Sequence, residues 1–250
     1  MEYKEWHDAE GAFHSQRRIY FSAANVNKVM SLHELVKMAA DIAVEDYRTR
    51  GMSREFLAEH GVAILVSRNS FRIHKMPEEN SVIEMSTWEE KPEALQLVRC
   101  YRISDLDGNI LVSAKSTWIV MDLNGRKIMP TKNFTLRTMP QIQTESDCLK
   151  PAKISVDESG FELLDSRKIK FSDIDTNGHT TNSRYAAFVE DALGEEFRKK
   201  TPRDFRLNYS KEVMLGDELF IYGKTDSENS RLTLVGKTKD FTSFEAELFY

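Results

Sequence analysis

The sequence predicts an α+β protein made of two copies of one unit, each a long amphipathic helix wrapped by a curved antiparallel β-sheet. Three observations lead there. The chain repeats itself without gaps, one long helical stripe follows the start of each repeat, and a run of strand-like segments follows each helix.

The repeat pairs RRIYFSAANVNKVMSLHELVKMAAD, from Arg17, with RKIKFSDIDTNGHTTNSRYAAFVED, from Arg167, at an offset of 150 residues. Identities fall at Arg17/Arg167, Ile19/Ile169, Phe21/Phe171, Ser22/Ser172, Asn27/Asn177 and Asp41/Asp191. In the first copy Leu32, Leu35, Val36, Ala39, Ala43 and Tyr47 recur at helical spacing. Ser31 with Glu34 reads as a capping box, and Gly51 as the stop. In the second copy Tyr185, Phe188, Val189, Ala192 and Leu193 give the same stripe. Thr181 or Asn182 is the expected cap, and Thr201-Pro202 the expected end.

Strands are expected over Val62–His74, Ser81–Glu89, Leu95–Ser104 and Ile110–Asp122, then over Phe205–Val213, Glu218–Lys224, Arg231–Lys239 and Phe244–Tyr250. Asp107-Gly108, Asn124-Gly125 and Gly216-Asp217 supply turn signals. The polar, proline-marked stretch from Pro130 to about Asp157 reads as a connector. The expected division is therefore a first unit at residues 1–140, a connector at 141–157 and a second unit at 158–250.

Composition narrows the function classes. A chain of 250 residues with 40% hydrophobic and 30% charged residues can bury a core without staples. Two cysteines, Cys100 and Cys148, are too few for a disulfide framework, so a reducing compartment, the cytoplasm, is expected. The N-terminal residues hold no apolar run of the kind a signal peptide needs, and no stretch is apolar enough to span a membrane. A net charge of −5 argues against general nucleic-acid binding.

The two copies differ where chemistry is carried. The loop before the second helix reads Asp175-Thr-Asn177-Gly-His179; the matching positions in the first copy are Asn25, Asn27 and Val29. Ionisable groups in one copy alone point to one catalytic half and one substrate-holding half. An imidazole moves protons near neutral pH, and N–H groups at the following helix N-terminus can stabilise an oxyanion, which suits acyl transfer. Glu212, on the strand expected after the helix, is placed to hold a water. Asp, Asn and Gly also simply make turns, and on this short motif alone a structural loop is the stronger reading. Glu212 alone reads as an exposed strand carboxylate. His7, His14, His33, His60 and His74 have no partners at metal-ligand spacing and read as structural.

The segment Phe171–Leu193 resembles the catalytic segment of the plant and bacterial acyl-ACP thioesterases, whose pattern is approximately D-x-N-x-H-x-N-N-x-x-Y. Asp175, Asn177, His179, Asn182 and Tyr185 fit it, and Thr181 departs from it. Tyr209-Ser-Lys-Glu212 fits the family's Y-x-x-E-C stretch, with Val213 in place of the Cys. The segments SLHELVKMAAD, VSRNSFRIHKMP and SAKSTWIVMDLNGRKIMP resemble its N-terminal half. The resemblance implies two tandem hot-dog domains and hydrolysis of fatty acyl-ACP to a free fatty acid, with no metal or redox cofactor. It carries catalytic assignments onto Asp175, Asn177, His179 and Glu212. Asp175 is expected as base or nucleophile with His179 assisting; Asn177 positions the carbonyl or Asp175, and Glu212 positions water. Val213 excludes a thiolate nucleophile at that position.

Met30, Leu35, Met38 and Ala39 are expected to border the acyl pocket. Arg184, Lys199 and Lys200, in a basic group with Arg167, Lys168, Lys170, Arg198, Arg203 and Arg206, are expected to meet the acidic carrier protein. A homodimer is compatible with this reading. Two alternatives stand beside it. One is another hot-dog enzyme, an acyl-CoA thioesterase or an (R)-specific hydratase; the hydratase pattern D-x-N-P-x-H has its His one residue later and a Pro absent here. The other is an inert acyl-binding module, against which Asp175, His179 and Glu212 together argue.

Overall fold

The computed structural model describes residues 4–137, 140–142, 144 and 146–250. Residues 1–3, 138, 139, 143 and 145, which include parts of the expected first unit and connector, lie outside these. The first half runs β1 (Glu5–His7), β2 (Phe13–Arg18), α1 (Leu32–Thr49), α2 (Arg54–Glu59), β3 (Val62–Ile73), β4 (Val82–Glu89), β5 (Leu97–Asp105), β6 (Ile110–Asp122) and β7 (Lys127–Met129). The second half runs β8 (Glu162–Lys168), α3 (Asn182–Ala192), α4 (Glu195–Arg198), β9 (Asp204–Tyr209), β10 (Glu218–Asp226), β11 (Arg231–Lys237) and β12 (Thr242–Phe249).

Among the described residues the strands form one antiparallel sheet, in the order β1-β2-β4-β5-β6-β3-β9-β12-β11-β10-β8, with β7 paired to β6. The halves meet where β3 pairs with β9, in the register Arg68↔Asn208 through Arg72↔Asp204. Phe71 and Phe205, opposite each other there, are both buried. A partly buried ion pair, Arg72 Nε to Asp204 Oδ1 at 2.5 Å, closes the end of the seam.

The helices begin and end for local reasons. Ser31 Oγ accepts the Glu34 N–H at 3.1 Å, which starts α1, and Gly51, at φ +81°, lies just past its end. The stripe Leu32, Leu35, Val36, Ala39, Ala43 and Tyr47 is buried, as the spacing predicts, and Ile42 is buried with it. Thr181 precedes α3 without capping it through its side chain; its hydroxyl donates to Asp173 O instead, at 3.2 Å. The second helix also stops at Ala192, well before Pro202. Leu193 turns extended and stays 7% exposed in the core, and Gly194, a poor helix former, is extended as well, so the helix breaks before α4. β9 likewise ends before the expected Val213. The Ser210 and Lys211 N–H groups both go to Ser243 O, at 2.8 and 3.1 Å, so the ladder closes and the chain turns away.

The repeat is visible in the backbone hydrogen bonds. Asn25 N–H donates to Val29 O, and Asp175 N–H to His179 O. Lys28 and Gly178, both at positive φ, donate to Asn25 O and Asp175 O. Met30 N–H reaches Pro77 O, and Thr180 N–H reaches Val213 O. One apolar core joins the halves, with Leu35, Val36 and Ala39 of α1 sharing it with Tyr185, Phe188 and Val189 of α3. Glycine is required at Gly236, because a Cβ there would lie 1.9 Å from the Phe244 ring across the β11–β12 ladder. No helix among the described residues is long and apolar enough to cross a membrane.

Candidate active site

The loop between β8 and α3 is built on a buried carboxylate that is not one of the expected catalytic groups. Asp173, 6% exposed, accepts the Lys170 N–H and pairs with Arg184 at 2.8 Å, while its carbonyl receives the Thr181 N–H. Thr180 is fastened from the other side, its N–H and hydroxyl both donating to Val213 O, at 3.0 and 2.9 Å. The Tyr185 hydroxyl accepts the Val213 N–H at 3.3 Å. These bonds fix the segment that carries Asp175, Asn177 and His179 and the segment that carries Glu212.

His179 then lies between two carboxylates. Its Nδ1 is 3.8 Å from Asp175 Oδ1, and its Nε2 is 3.5 Å from Glu212 Oε1. Nδ1 is buried and has no hydrogen-bond partner among the described residues. Both separations exceed a hydrogen bond, as is common before a substrate draws catalytic groups together. Asp175 Oδ1 accepts the Asn177 N–H at 2.7 Å, and Asp175 Oδ2 faces Asn177 Nδ2 at 3.4 Å. The structure thus brings all four expected residues together, with one difference. Glu212 stands in the loop after β9 rather than on a strand, and its side chain is 55% exposed.

The N–H groups of Thr180 and Thr181 are already bonded, to Val213 O and Asp173 O. Any oxyanion contact from this helix end therefore falls to its first turn, beyond Thr181. Val213 is fully buried and holds the loop through its backbone, so an alkyl side chain packed in the core occupies this position. No group of three or more His, Cys, Asp or Glu among the described residues is placed to hold a metal ion.

The other expected residues fare differently. Met30, Leu35 and Ala39 are buried in the shared core, and Met38 packs against it. Arg184 is not a free surface cation: its guanidinium is spent on Asp173 and lies over the Phe188 ring. Lys199 and Lys200 are exposed, but each pairs with a glutamate on the same turn, Glu195 at 2.7 Å and Glu196 at 2.5 Å. Arg167 pairs with Asp165 and Asp191, Arg203 with Asp204, and Arg206 with Glu247. The basic group is consequently much closer to neutral than its linear sequence implies. One neighbour of the loop was not foreseen. Arg54, the first residue of α2 in the other half, donates to Thr176 Oγ1 at 2.9 Å and to Asn177 Oδ1. Nothing in the linear sequence joins these positions.

Comparison with known proteins places this arrangement. Residues 10–135 match the acyl-ACP thioesterase N-terminal domain, and residues 159–242 match the acyl-ACP thioesterase C-terminal domain. The chloroplastic acyl-[acyl-carrier-protein] hydrolase FATB2 of Cuphea viscosissima is 21% identical over 185 residues, covering 68% of this chain and 44% of the relative. The chain therefore spans about half the length of the curated relative it matches. The crystal structure of an acyl-ACP thioesterase from Bacteroides thetaiotaomicron superposes with a TM-score of 0.86 at 23% identity, over 95% of this chain and 97% of that one. The 12:0-ACP thioesterase from Umbellularia californica gives 0.83 at 15% identity, over 95% and 96%. These likenesses show a common double hot-dog fold. With both of its domains matched in order along one chain, the protein belongs to the acyl-ACP thioesterase family.

Proposed function

We propose that the protein hydrolyses the thioester of a fatty acyl chain carried on acyl carrier protein, releasing the free fatty acid and the carrier thiol. The observation that carries this reading is the imidazole of His179 held between Asp175 and Glu212 in one half, while the symmetric loop ends in Asn25 and Val29. Glu212 holds a water against the carbonyl carbon. The Asp175–His179 pair takes its proton as the C–O bond forms. The tetrahedral intermediate then collapses, the C–S bond breaks, and the imidazolium returns the proton to the departing sulfur. Asn177 keeps Asp175 aligned.

On this reading residues 158–250 supply the chemistry. Residues 1–140 supply the acyl pocket, with Met30, Leu35, Met38 and Ala39 near its wall, and 141–157 connect the two. The enzyme works in the cytoplasm, which its two free cysteines suit, and the reading is compatible with a homodimer. Steady-state hydrolysis of lauroyl-, palmitoyl- and oleoyl-ACP beside the matching CoA esters tests the proposal. The expected result is that at least one acyl-ACP is cleaved with a kcat/KM about tenfold or more above its CoA ester, which is a preference of roughly 1.4 kcal/mol. Cleavage of the CoA esters alone, or of none, sinks it.

A further inference from the structure

The geometry points to Arg54 as a positioning residue for the thioesterase reaction, contributed by the first half to the catalytic loop of the second and acting through Asn177. This inference rests on the reaction assigned above to Asp175, Asn177 and His179.

The orientation of Asn177 carries it. A side-chain amide has a donor end and an acceptor end, and turning it over exchanges them. Asn177 stands between a guanidinium, which only donates, and a carboxylate, which only accepts. Arg54 donates to Asn177 Oδ1, so Nδ2 faces Asp175 Oδ2 at 3.4 Å. The opposite orientation would set N–H against N–H on one side and oxygen against oxygen on the other. Arg54 also donates to Thr176 Oγ1 at 2.9 Å, a two-point grip that the planar fork of arginine makes and a lysine ammonium does not reproduce. A hydrogen-bonded polar chain thus runs from Arg54 through Asn177 to Asp175, whose other oxygen faces His179 at 3.8 Å, with Glu212 3.5 Å from the far side of the imidazole.

The inactive copy supplies the contrast. Asn27, the counterpart of Asn177, also reaches across to the short helix of the opposite half, but there its Nδ2 donates to the backbone carbonyl of Arg198 at 2.6 Å. The two halves therefore share one cross-half contact. Only the copy with Asp175 and His179 receives it from a cation, at the amide oxygen. With Arg54 absent the amide is free to rotate, and Asp175 loses a directed donor on the side away from the imidazole.

A double-mutant cycle on acyl-ACP hydrolysis tests the assignment, using the full chain and whichever of lauroyl-, palmitoyl- or oleoyl-ACP it cleaves fastest. Arg54→Ala is expected to lower kcat about tenfold with KM within about twofold, as for a group whose effect is felt in the transition state. Arg54→Lys, which keeps the charge and loses the fork, is expected to recover only part of that loss. In an Asn177→Ala background the Arg54→Ala change is expected to cost less than about twofold, because its target is gone. An unchanged kcat in Arg54→Ala, a rise confined to KM, or the same tenfold loss in the Asn177→Ala background overturns the role. If Asn177→Ala and Asp175→Asn themselves keep full turnover, the site reading fails first, and the inference with it.

Discussion

At the scale of single residues, the proposed chemistry rests on differences between two loops with matching backbone hydrogen bonds. Asp175 and His179 occupy the positions that Asn25 and Val29 hold in the first half. His179→Ala and Asp175→Asn are each expected to lower kcat by roughly 10²-fold or more, the size of a general acid–base contribution. Val29→Ala is expected to leave kcat within about twofold, since an alkyl group moves no proton. Turnover of acyl-ACP by the three purified variants checks this, and near-wild-type rates in both catalytic variants would remove the site. The grouping of Asp175, Asn177 and His179 was legible because all three lie within one short loop. Glu212 was a weaker signal, an exposed strand carboxylate on its own until the family pattern joined it to the loop, and its place off the strand was hidden, because β9 ends by sharing the Ser243 carbonyl between two N–H groups. Arg54 was invisible, since its partners lie 122 and 123 residues away in the chain. Arg184 is a related case. Its charge was read from the sequence, but its partner Asp173 becomes a neighbour only when the loop folds back.

At the scale of elements, α1 was legible almost residue for residue, because its apolar stripe and its Ser31 cap are local signals. α3 was overextended, because the stripe runs on through Leu193 while Gly194 breaks the backbone. The short elements β1, β7, α2 and α4 were missed, as segments of three to six residues hold too little pattern to register. What joins the two long helices was also hidden. The Glu190 carboxylate of α3 accepts the N–H groups of Leu32 and His33, at 2.9 and 3.1 Å, and so caps the first turn of α1 from the other half. His33 Nδ1 lies 2.9 Å from Ser183 O and ties the same junction. Glu190→Ala is expected to destabilise the fold by about 1–2 kcal/mol, as the loss of a helix cap does, with a lowered Tm in thermal unfolding. Burial holds the Glu190 carboxyl above the ordinary glutamate range, against the pull of the two N–H bonds. An acid whose folded pKa is raised costs nothing while it is protonated in both states. Its penalty develops as pH rises from the unfolded value through the folded one. The stability advantage of wild type over Glu190→Gln is therefore expected to shrink across that window. An advantage that grows with pH in urea unfolding would contradict this account.

At the scale of the whole molecule, tandem helix-plus-sheet units were legible from the repeat, while the particular strands at which they join were not. Pairing of β3 with β9 makes one continuous sheet, and a strand pairing between halves leaves no mark on either strand's own pattern. The same limit applies to charge. The chain carries −5, and on the proposed reading an acidic carrier protein is repelled by it overall, so docking depends on local cations. Most of the arginines in the expected basic group are held by carboxylates, and Arg184 is part of the loop's own scaffold. Charge reversal at Arg184 is therefore expected to injure hydrolysis of every substrate, and it does not probe docking. Lys199 and Lys200 are the better probes. Their side chains are 69% and 49% exposed, and their pairs with Glu195 and Glu196 lie on the surface, where such pairs hold weakly. Opposite charges across an encounter surface mainly speed association, and salt screens them over about 8 Å at physiological ionic strength. The kcat/KM for acyl-ACP is accordingly expected to fall as salt rises, more steeply than for a short uncharged acyl thioester. Reversing Lys199 and Lys200 together is expected to raise KM for acyl-ACP and to flatten that salt dependence, while the short substrate is cleaved as before. Equal losses on both substrates would locate the damage in the fold or the catalytic loop. An unchanged KM and an unchanged salt slope would move the carrier surface elsewhere, with Arg126, Lys127 and Lys132 near β7 the next cations to reverse.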